Sequence, residues 1–439
     1  MEKREMKISQ KAQRAIFIGL MCAVSYLAVY IARNILGAVT PQMVESGYSE
    51  AYIGTVSSTY FVLYATGQLI NGALGDKIKA KYMICFGLLL AGVCNIVFSR
   101  LGNYPNMAIV VYGMTGFFLA MIYGPMMKIV AENTEPIYAT RCSLGFTFAS
   151  FLGSPMAGVL AAALAWQSAF TVSSALLACM SVIAFCAFTL FERKGLVKYN
   201  QYKRVKEKGG SVKILFKHRI VKFTFIAFLT GIVRTSVVFW MPTYISQYLG
   251  FSSSKAASIY TVATFIISLT TFIAVFIYER LKRNMDVTIL LMFSMASVFF
   301  SLLFICKQPV LNIVLMVLAV MSSGGAAAML YSRYCPSLRD TGMVSTATGF
   351  LDCVSYIGAA IANVVFANAV GAIGWANLIL IWCGLMVCGV LLSLPYAAMF
   401  KRKKTAVVTE TPSENAQAEE TEKLEETVEE VACEQTENE

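Results

Sequence analysis

The 439 residues are 57% hydrophobic and only 14% charged, and the mean hydropathy is +0.65. Soluble domains carry about 25% charged residues, and one globular core could not hide this much apolar surface. A water-soluble fold is excluded, and the solvent for much of the surface is a lipid bilayer.

The formal charge of +11 does not gather in one patch, so nucleic acid is not an expected partner. Residues 1–400 hold 31 basic and 13 acidic side chains, while residues 401–439 hold 5 and 12. From Thr405 onward the tail is polar, acidic and free of aromatics. It is expected to be disordered, because it cannot bury enough apolar surface to repay its ordering entropy. Leu424, Val428 and Val431 permit a short helix at most.

The 12 cysteines are scattered without metal-like spacing and read as small buried residues. His218, the only histidine, lies in a basic loop, so no zinc site or histidine-based triad is expected. With no nucleotide-binding loop either, the chain is not expected to be an enzyme or to hold a cofactor.

Apolar runs long enough to span as helices fall near residues 15–40, 51–74, 82–99, 107–130, 143–164, 168–191, 220–248, 257–278, 286–305, 310–332, 343–369 and 375–400. This predicts an all-α integral membrane protein of about twelve spans. The first run is too long for a signal-peptide core and is expected to be a retained anchor. When alternate loops are assigned to alternate sides, one side receives the basic amino terminus, the 76–82 loop, the 192–219 segment, the 279–285 loop and Lys401–Lys404. The other side receives only Arg100, Lys255 and Lys307. The basic side is cytoplasmic, which puts both termini inside a bacterial-type inner membrane.

The long basic connection from Glu192 to Arg219 cuts the spans into two sets of six. The expected division is a basic amino terminus (1–14), a first half (15–191), a linker (192–219), a second half (220–400) and an acidic tail (401–439). An internal repeat supports the cut. Arg33 precedes Pro41 by eight residues, and Arg234 precedes Pro242 by eight, at an offset of 201. Asp76-Lys77 is echoed by Glu279-Arg280 at 203, Gly145-Phe146 by Gly349-Phe350 at 204, and Trp166 by Trp375 at 209. This is the pattern of parallel halves related by an axis along the membrane normal.

Formal charges well inside these spans are Arg33, Arg234 and Asp352. A central arginine costs about 2.5–3.5 kcal/mol, so something must offset two of them. Either could snorkel to an interface or pair with an acid. Their equivalent places in the two halves favour another arrangement, in which both face a central cavity. Two guanidiniums there repel unless an anion lies between them. A phosphate, with about −1.5 to −2 charges and several acceptor oxygens, suits two planar forks, and a carboxylate is the next choice. Tyr26 and Tyr30 share a helical face with Arg33. Tyr64 and Gln68 form an i, i+4 pair, and Tyr356 follows Asp352 by four. Asp352 reads equally as a structural acid and as a group that takes up and releases a proton.

The loop Gly72-Ala-Leu-Gly75-Asp76-Lys77, followed by Lys81, resembles the conserved gate loop of the major facilitator superfamily, and Glu279, Arg280 and Arg283 stand where its second copy would lie. The stretches from Tyr26 through Arg33 and Pro41 to Gly47, and from Arg234 through Trp240 and Pro242 to Tyr244, resemble the organophosphate:phosphate antiporter family within it. The resemblance covers residues 15–400. It implies the major facilitator fold, alternating access by two rocking halves, and a phosphate held by Arg33 and Arg234 with help from Tyr26, Tyr30, Tyr64 and Tyr356. It also implies inorganic phosphate as exchange partner.

Departures from the family pattern are Gln68 where the glycerol-3-phosphate type has lysine, uncharged residues around Ala149 and Ser150 where it has histidine, Phe239 and Thr264 near family acids, and Asp352 itself. The expected partners are therefore a small anionic substrate and the bilayer, with a functional monomer. Alternatives are a sugar-phosphate sensor signalling to a partner through the acidic tail, and an H⁺-coupled symporter of a carboxylated sugar or other organic anion.

Overall fold

The computed structural model describes residues 10–74, 78–199, 216, 218–338 and 344–394. Within these residues the chain runs through α1 (Gln10–Glu45), α2 (Glu50–Leu74), α3 (Ala80–Arg100), α4 (Pro105–Leu119), α5 (Tyr123–Asn133), α6 (Pro136–Ala163) and α7 (Trp166–Arg193). It continues through α8 (Ile220–Gly231), a π-helical turn (Ile232–Val237), α9 (Val238–Gln247), α10 (Ser253–Ser268), α11 (Thr270–Arg280) and α12 (Met285–Ile305). Last come α13 (Pro309–Met329), a second π-helical turn (Leu330–Tyr334), α14 (Cys335–Ser337) and α15 (Val344–Ser393).

Local chemistry sets these boundaries. Pro105, Pro136 and Pro309 open their helices at a position where the missing N–H costs nothing. Asn284 caps α12 by accepting from the Val287 N–H at 3.2 Å, with Asp286 in the first turn, where the helix dipole favours an anion. Hydroxyl groups inside apolar helices bond back one turn, as Ser25 does to the Met21 carbonyl (2.9 Å) and Thr40 to that of Leu36 (2.7 Å). This satisfies each hydroxyl where lipid cannot.

Among the described residues, nine helical segments are long and apolar enough to cross a membrane. These include α1, α3, α7, α12, α4 joined with α5, α8 joined with α9, and α10 joined with α11. Residues 148–163 form a shorter apolar stretch within α6. Two expected spans, near 343–369 and 375–400, meet in α15, which turns at Gly374 (φ 75°, ψ 170°), a backbone conformation that glycine adopts without strain. Spans run longer than expected: α1 reaches Glu45, and the helical segment begun by α13 reaches Tyr334, bringing Arg333 inside it. Its guanidinium lies 4.8 Å from the Tyr278 ring centre. The 401–439 tail and residues 200–215 of the linker lie outside the described residues.

α1 packs on α6 and α7, α2 on α4, and α8 and α12 on α15. Contacts that join residues 10–193 to residues 220–393 run chiefly between α2 and α15, α6 and α10, and α1 and α9. They cluster at the end of the bundle where α1 turns into α2. Gln247 Nε2 donates to Glu50 Oε1 at 2.6 Å, Ser253 Oγ donates to the Glu45 carboxylate, and Ser254 Oγ donates to the Ala162 carbonyl at 2.8 Å. At the opposite end, five ion pairs lie within residues 10–193 or within residues 219–286. They are Lys11–Glu135 (2.6 Å), Lys79 and Lys81 with Glu192, and Arg219 and Lys222 with Asp286 (2.9 and 3.0 Å).

Candidate functional site

Arg33 lies past the middle of α1, and its guanidinium sits among aromatic rings from three helices. Its carbon is 5.2 Å from the Tyr30 ring centre, 5.8 Å from Phe61, 5.0 Å from Tyr64 and 4.7 Å from Tyr356. Such faces attract a cation while leaving the N–H edge of the fork available to an acceptor. One donor is used: Arg33 Nη1 bonds the Tyr356 hydroxyl at 2.9 Å. Tyr26 packs edge-on to Tyr30 with centroids 4.9 Å apart, so the expected face Tyr26–Tyr30–Arg33 is one continuous surface.

α1 is held in this place by a close approach. A Cβ at Gly153 of α6 would lie 2.3 Å from Tyr30 Cβ, so only glycine fits against the tyrosine. Tyr64, from α2, meets Tyr356 edge-on at 5.0 Å and is only 3% exposed, which removes it from the interfacial aromatic belt.

Arg234 sits in the π-helical turn between α8 and α9. π-turns bulge the backbone and recur at functional sites. Here the turn is pressed against α15: a Cβ at Gly231 would lie 2.2 Å from the Ser355 carbonyl oxygen, and Ser236 Oγ donates to the Ala359 carbonyl at 3.1 Å. This contact packs the turn that carries Arg234 against the stretch of α15 just beyond Asp352. Arg234 and Arg33 both lie within electrostatic reach of Asp352. Its charge also reaches Tyr64, Tyr123, Tyr331 and Tyr356. The carboxylate is therefore central, with helices of both halves around it, and it forms no ion pair among the described residues.

Gln68 stands half-buried one turn beyond Tyr64 and makes no hydrogen bond among the described residues. Of the expected gate residues, Asp76 and Lys77 lie outside the described residues, and Gly72 lies in the last turns of α2. Lys81 is buried and bonds Glu192 at the end of α7, so it ties together helices of one half rather than the two halves. Glu279, Arg280 and Arg283 are exposed and form no ion pair among the described residues, and Arg280 covers the Phe276 ring at 5.2 Å.

Four aromatic side chains of this cluster escaped the sequence reading: Tyr60, Phe61, Tyr123 and Tyr331. Tyr123 packs on Tyr26 at 5.3 Å, and Tyr60 stacks on Tyr64 at 6.0 Å. A signal existed for two of them. Met121-Ile122-Tyr123 is repeated as Met329-Leu330-Tyr331 at an offset of 208, and each tyrosine falls where its helix is interrupted.

The family model described as Major Facilitator Superfamily matches residues 22–363. The chain belongs to the Major Facilitator Superfamily. It is 24% identical over 387 residues to the glycerol-3-phosphate transporter of Bacillus subtilis (strain 168), covering 82% of this chain and 86% of that protein. It is 21% identical to the membrane sensor protein UhpC of Escherichia coli (strain K12), covering 84% and 89%. It is 20% identical to the glucose-6-phosphate exchanger SLC37A2 of Bos taurus, covering 82% and 84%. These relatives agree with the resemblance carried by the two arginine segments.

Among solved structures, a bacterial homolog of the human lysosomal transporter Spinster superposes with a TM-score of 0.71 at 13% identity, covering 88% of this chain and 94% of that one. A D-xylose-proton symporter gives 0.67 at 12% identity, covering 87% and 97%. At these identities the likeness shows the superfamily fold alone.

Proposed function

We propose that this superfamily transporter moves a phosphorylated organic anion across the membrane by alternating access, in exchange for inorganic phosphate. One observation carries the reading: Arg33 lies among the rings of Tyr30, Phe61, Tyr64 and Tyr356 and bonds Tyr356 on α15, the helix that also carries Asp352 and against which the turn bearing Arg234 packs. An arginine fork pairs with a phosphate through two parallel hydrogen bonds, and here both forks are held in low-dielectric surroundings where such bonds are strong. Tyr26, Tyr30, Tyr64 and Tyr356 shape the site, and Gln68 reads the organic part of the cargo.

The fold behind this reading is twelve spans in two six-helix halves, 15–191 and 220–400. The basic residues 1–14 and the 192–219 linker lie in the cytoplasm of a bacterial-type cell, as does the 401–439 tail. The basic loops then put the unlinked end of the bundle inside, so the sealed end that carries Glu45, Glu50, Gln247 and Ser253 faces out. The conformation is inward-facing. Gly72, Asp76, Lys77 and Lys81 with Glu279, Arg280 and Arg283 act at the inner gate when it closes. The protein works as a monomer.

Similarity to a protein named as a membrane sensor supports a second reading, in which cargo binding is reported to a partner rather than transported. Exchange of radiolabelled phosphate in proteoliposomes preloaded with phosphate separates the two. Rapid exchange by the purified protein supports the antiporter, and none by folded protein supports the sensor. A pH-gradient-driven uptake that is lost in Asp352→Asn would instead make Asp352 the group that couples proton movement to transport.

A further inference from the structure

The charge of the central cluster constrains the cargo beyond its phosphate. Arg33 and Arg234 contribute two positive charges and Asp352 one negative, while Tyr30, Phe61, Tyr64, Tyr123, Tyr331 and Tyr356 contribute none. A phosphate ester with a neutral organic part brings about −1.5 to −2 charges. Such a cargo overcompensates the cluster and presses its oxygens toward the Asp352 carboxylate, a like-charge contact that low dielectric makes costly.

The geometry offers a way out of this conflict. Asp352 and Tyr356 are four residues apart on one face of α15, about 6 Å along the helix axis. The Tyr356 hydroxyl marks the Arg33 donor edge, where the phosphate would arrive. Asp352 therefore stands one turn away from the phosphate position and has no ion-pair partner among the described residues. A carboxylate held in this way gains most from a cation delivered with the cargo.

We propose that the cargo is an amine-bearing phosphate ester, whose phosphate lies between Arg33 and Arg234 and whose ammonium pairs with Asp352 across a short aliphatic spacer. The filled site is then close to neutral, which lets it pass the low-dielectric interior when the halves rock. The inference rests on the exchange reading above.

The test uses wild-type protein in phosphate-loaded proteoliposomes and compares two near-isosteric competitors of radiolabelled phosphate uptake, 2-aminoethyl phosphate and 2-hydroxyethyl phosphate. The amine is expected to inhibit at roughly tenfold lower concentration, the effect of one charge-assisted hydrogen bond. Asp352→Asn should bring the two inhibitory concentrations together, read as their ratio within the variant whatever its exchange rate, and Asp352→Glu should keep a preference for the amine. Equal inhibition in the wild type, or an amine preference that survives in Asp352→Asn, would overturn the proposal. The wild-type comparison decides even where a variant does not fold. Intact phosphate exchange without an amine preference defeats this inference alone, whereas folded wild type without exchange defeats the antiporter reading beneath it.

Discussion

Arg33 and Tyr356 are 323 residues apart in the chain, yet Arg33 Nη1 donates to the Tyr356 hydroxyl at 2.9 Å, joining the two halves at the central cluster. On the exchange reading proposed above, rocking of the halves would strain this bond and a bound phosphate would compete for the same donor. On that reading the bond links occupancy of the site to the relative position of the halves.

Tyr356→Phe keeps the ring that stacks on Phe61 at 6.1 Å and loses only the hydroxyl. A hydrogen bond to a charged donor contributes about 1.5–3 kcal/mol, a factor of about 10 to 150, and a bound phosphate competes for this donor, so freeing it should raise phosphate affinity about tenfold or more. Titration of exchange rate against phosphate concentration measures this. An unchanged half-saturation concentration would place the hydroxyl outside the binding path.

Arg33→Lys and Arg234→Lys keep charge but lose the planar fork. Each should reduce phosphate exchange by about a hundredfold, because a lysine ammonium cannot make two parallel bonds to one phosphate. Arg33→Lys also weakens the packing among Tyr30, Tyr64 and Tyr356. Comparing exchange with thermal melting of the same preparations separates lost recognition from lost fold. Wild-type exchange in both variants would defeat the phosphate clamp.

The sealed end of the bundle depends on glycines at crossing points between the halves. A Cβ at Gly158 of α6 would lie 2.3 Å from Thr261 Oγ1 and 3.2 Å from the Ala257 carbonyl oxygen of α10. Gly158→Leu should therefore wedge this end open. Overpacking of this size costs about 1–3 kcal/mol, enough to depopulate the sealed conformation without unfolding either half. Exchange should drop at least tenfold, and hydrogen exchange should rise in α10 next to Ser253–Thr261. Normal exchange in this variant would show that the crossing opens without help from the glycine.

The helical membrane fold and the superfamily were legible in the sequence because each leaves a local mark: runs of apolar residues, and charges, glycines and prolines at motif spacings. Tyr60 and Phe61 left none, since an aromatic residue in an apolar helix looks the same whether it faces lipid or a cavity. The π-helical turn that carries Arg234 was hidden for a related reason. Its cause lies in α15, more than a hundred residues away, where Ser355 and Ala359 press on Gly231 and Ser236. Lys81 was legible as a conserved-looking loop base, but its burial beside Glu192 depends on α7 and could not be read from the loop.

Gly231 tests whether that distant packing positions the site. The α8–α15 crossing is so close at this point that a Cβ would overlap the Ser355 carbonyl oxygen at 2.2 Å and Ser355 Oγ at 2.6 Å. Backbone cannot yield as a flexible side chain does, so Gly231→Ala should push the π-helical turn away from α15 and separate Arg234 from Asp352. Strain of this kind costs about 1–3 kcal/mol, which lowers the melting temperature by a few degrees in a chain of this size. The loss of phosphate affinity should be larger than that destabilisation alone would cause, because Arg234 is displaced even in the folded protein. Gly358→Ala makes the matching control on the same helix pair: its Cβ would meet the Phe228 carbonyl oxygen at 2.9 Å, within α8, and reach the turn only by an ordinary 3.4 Å contact with Ile232 Cγ1. Equal loss of affinity in both variants would assign the effect to general loosening of α8 on α15, whereas loss confined to Gly231→Ala would assign it to the placement of Arg234.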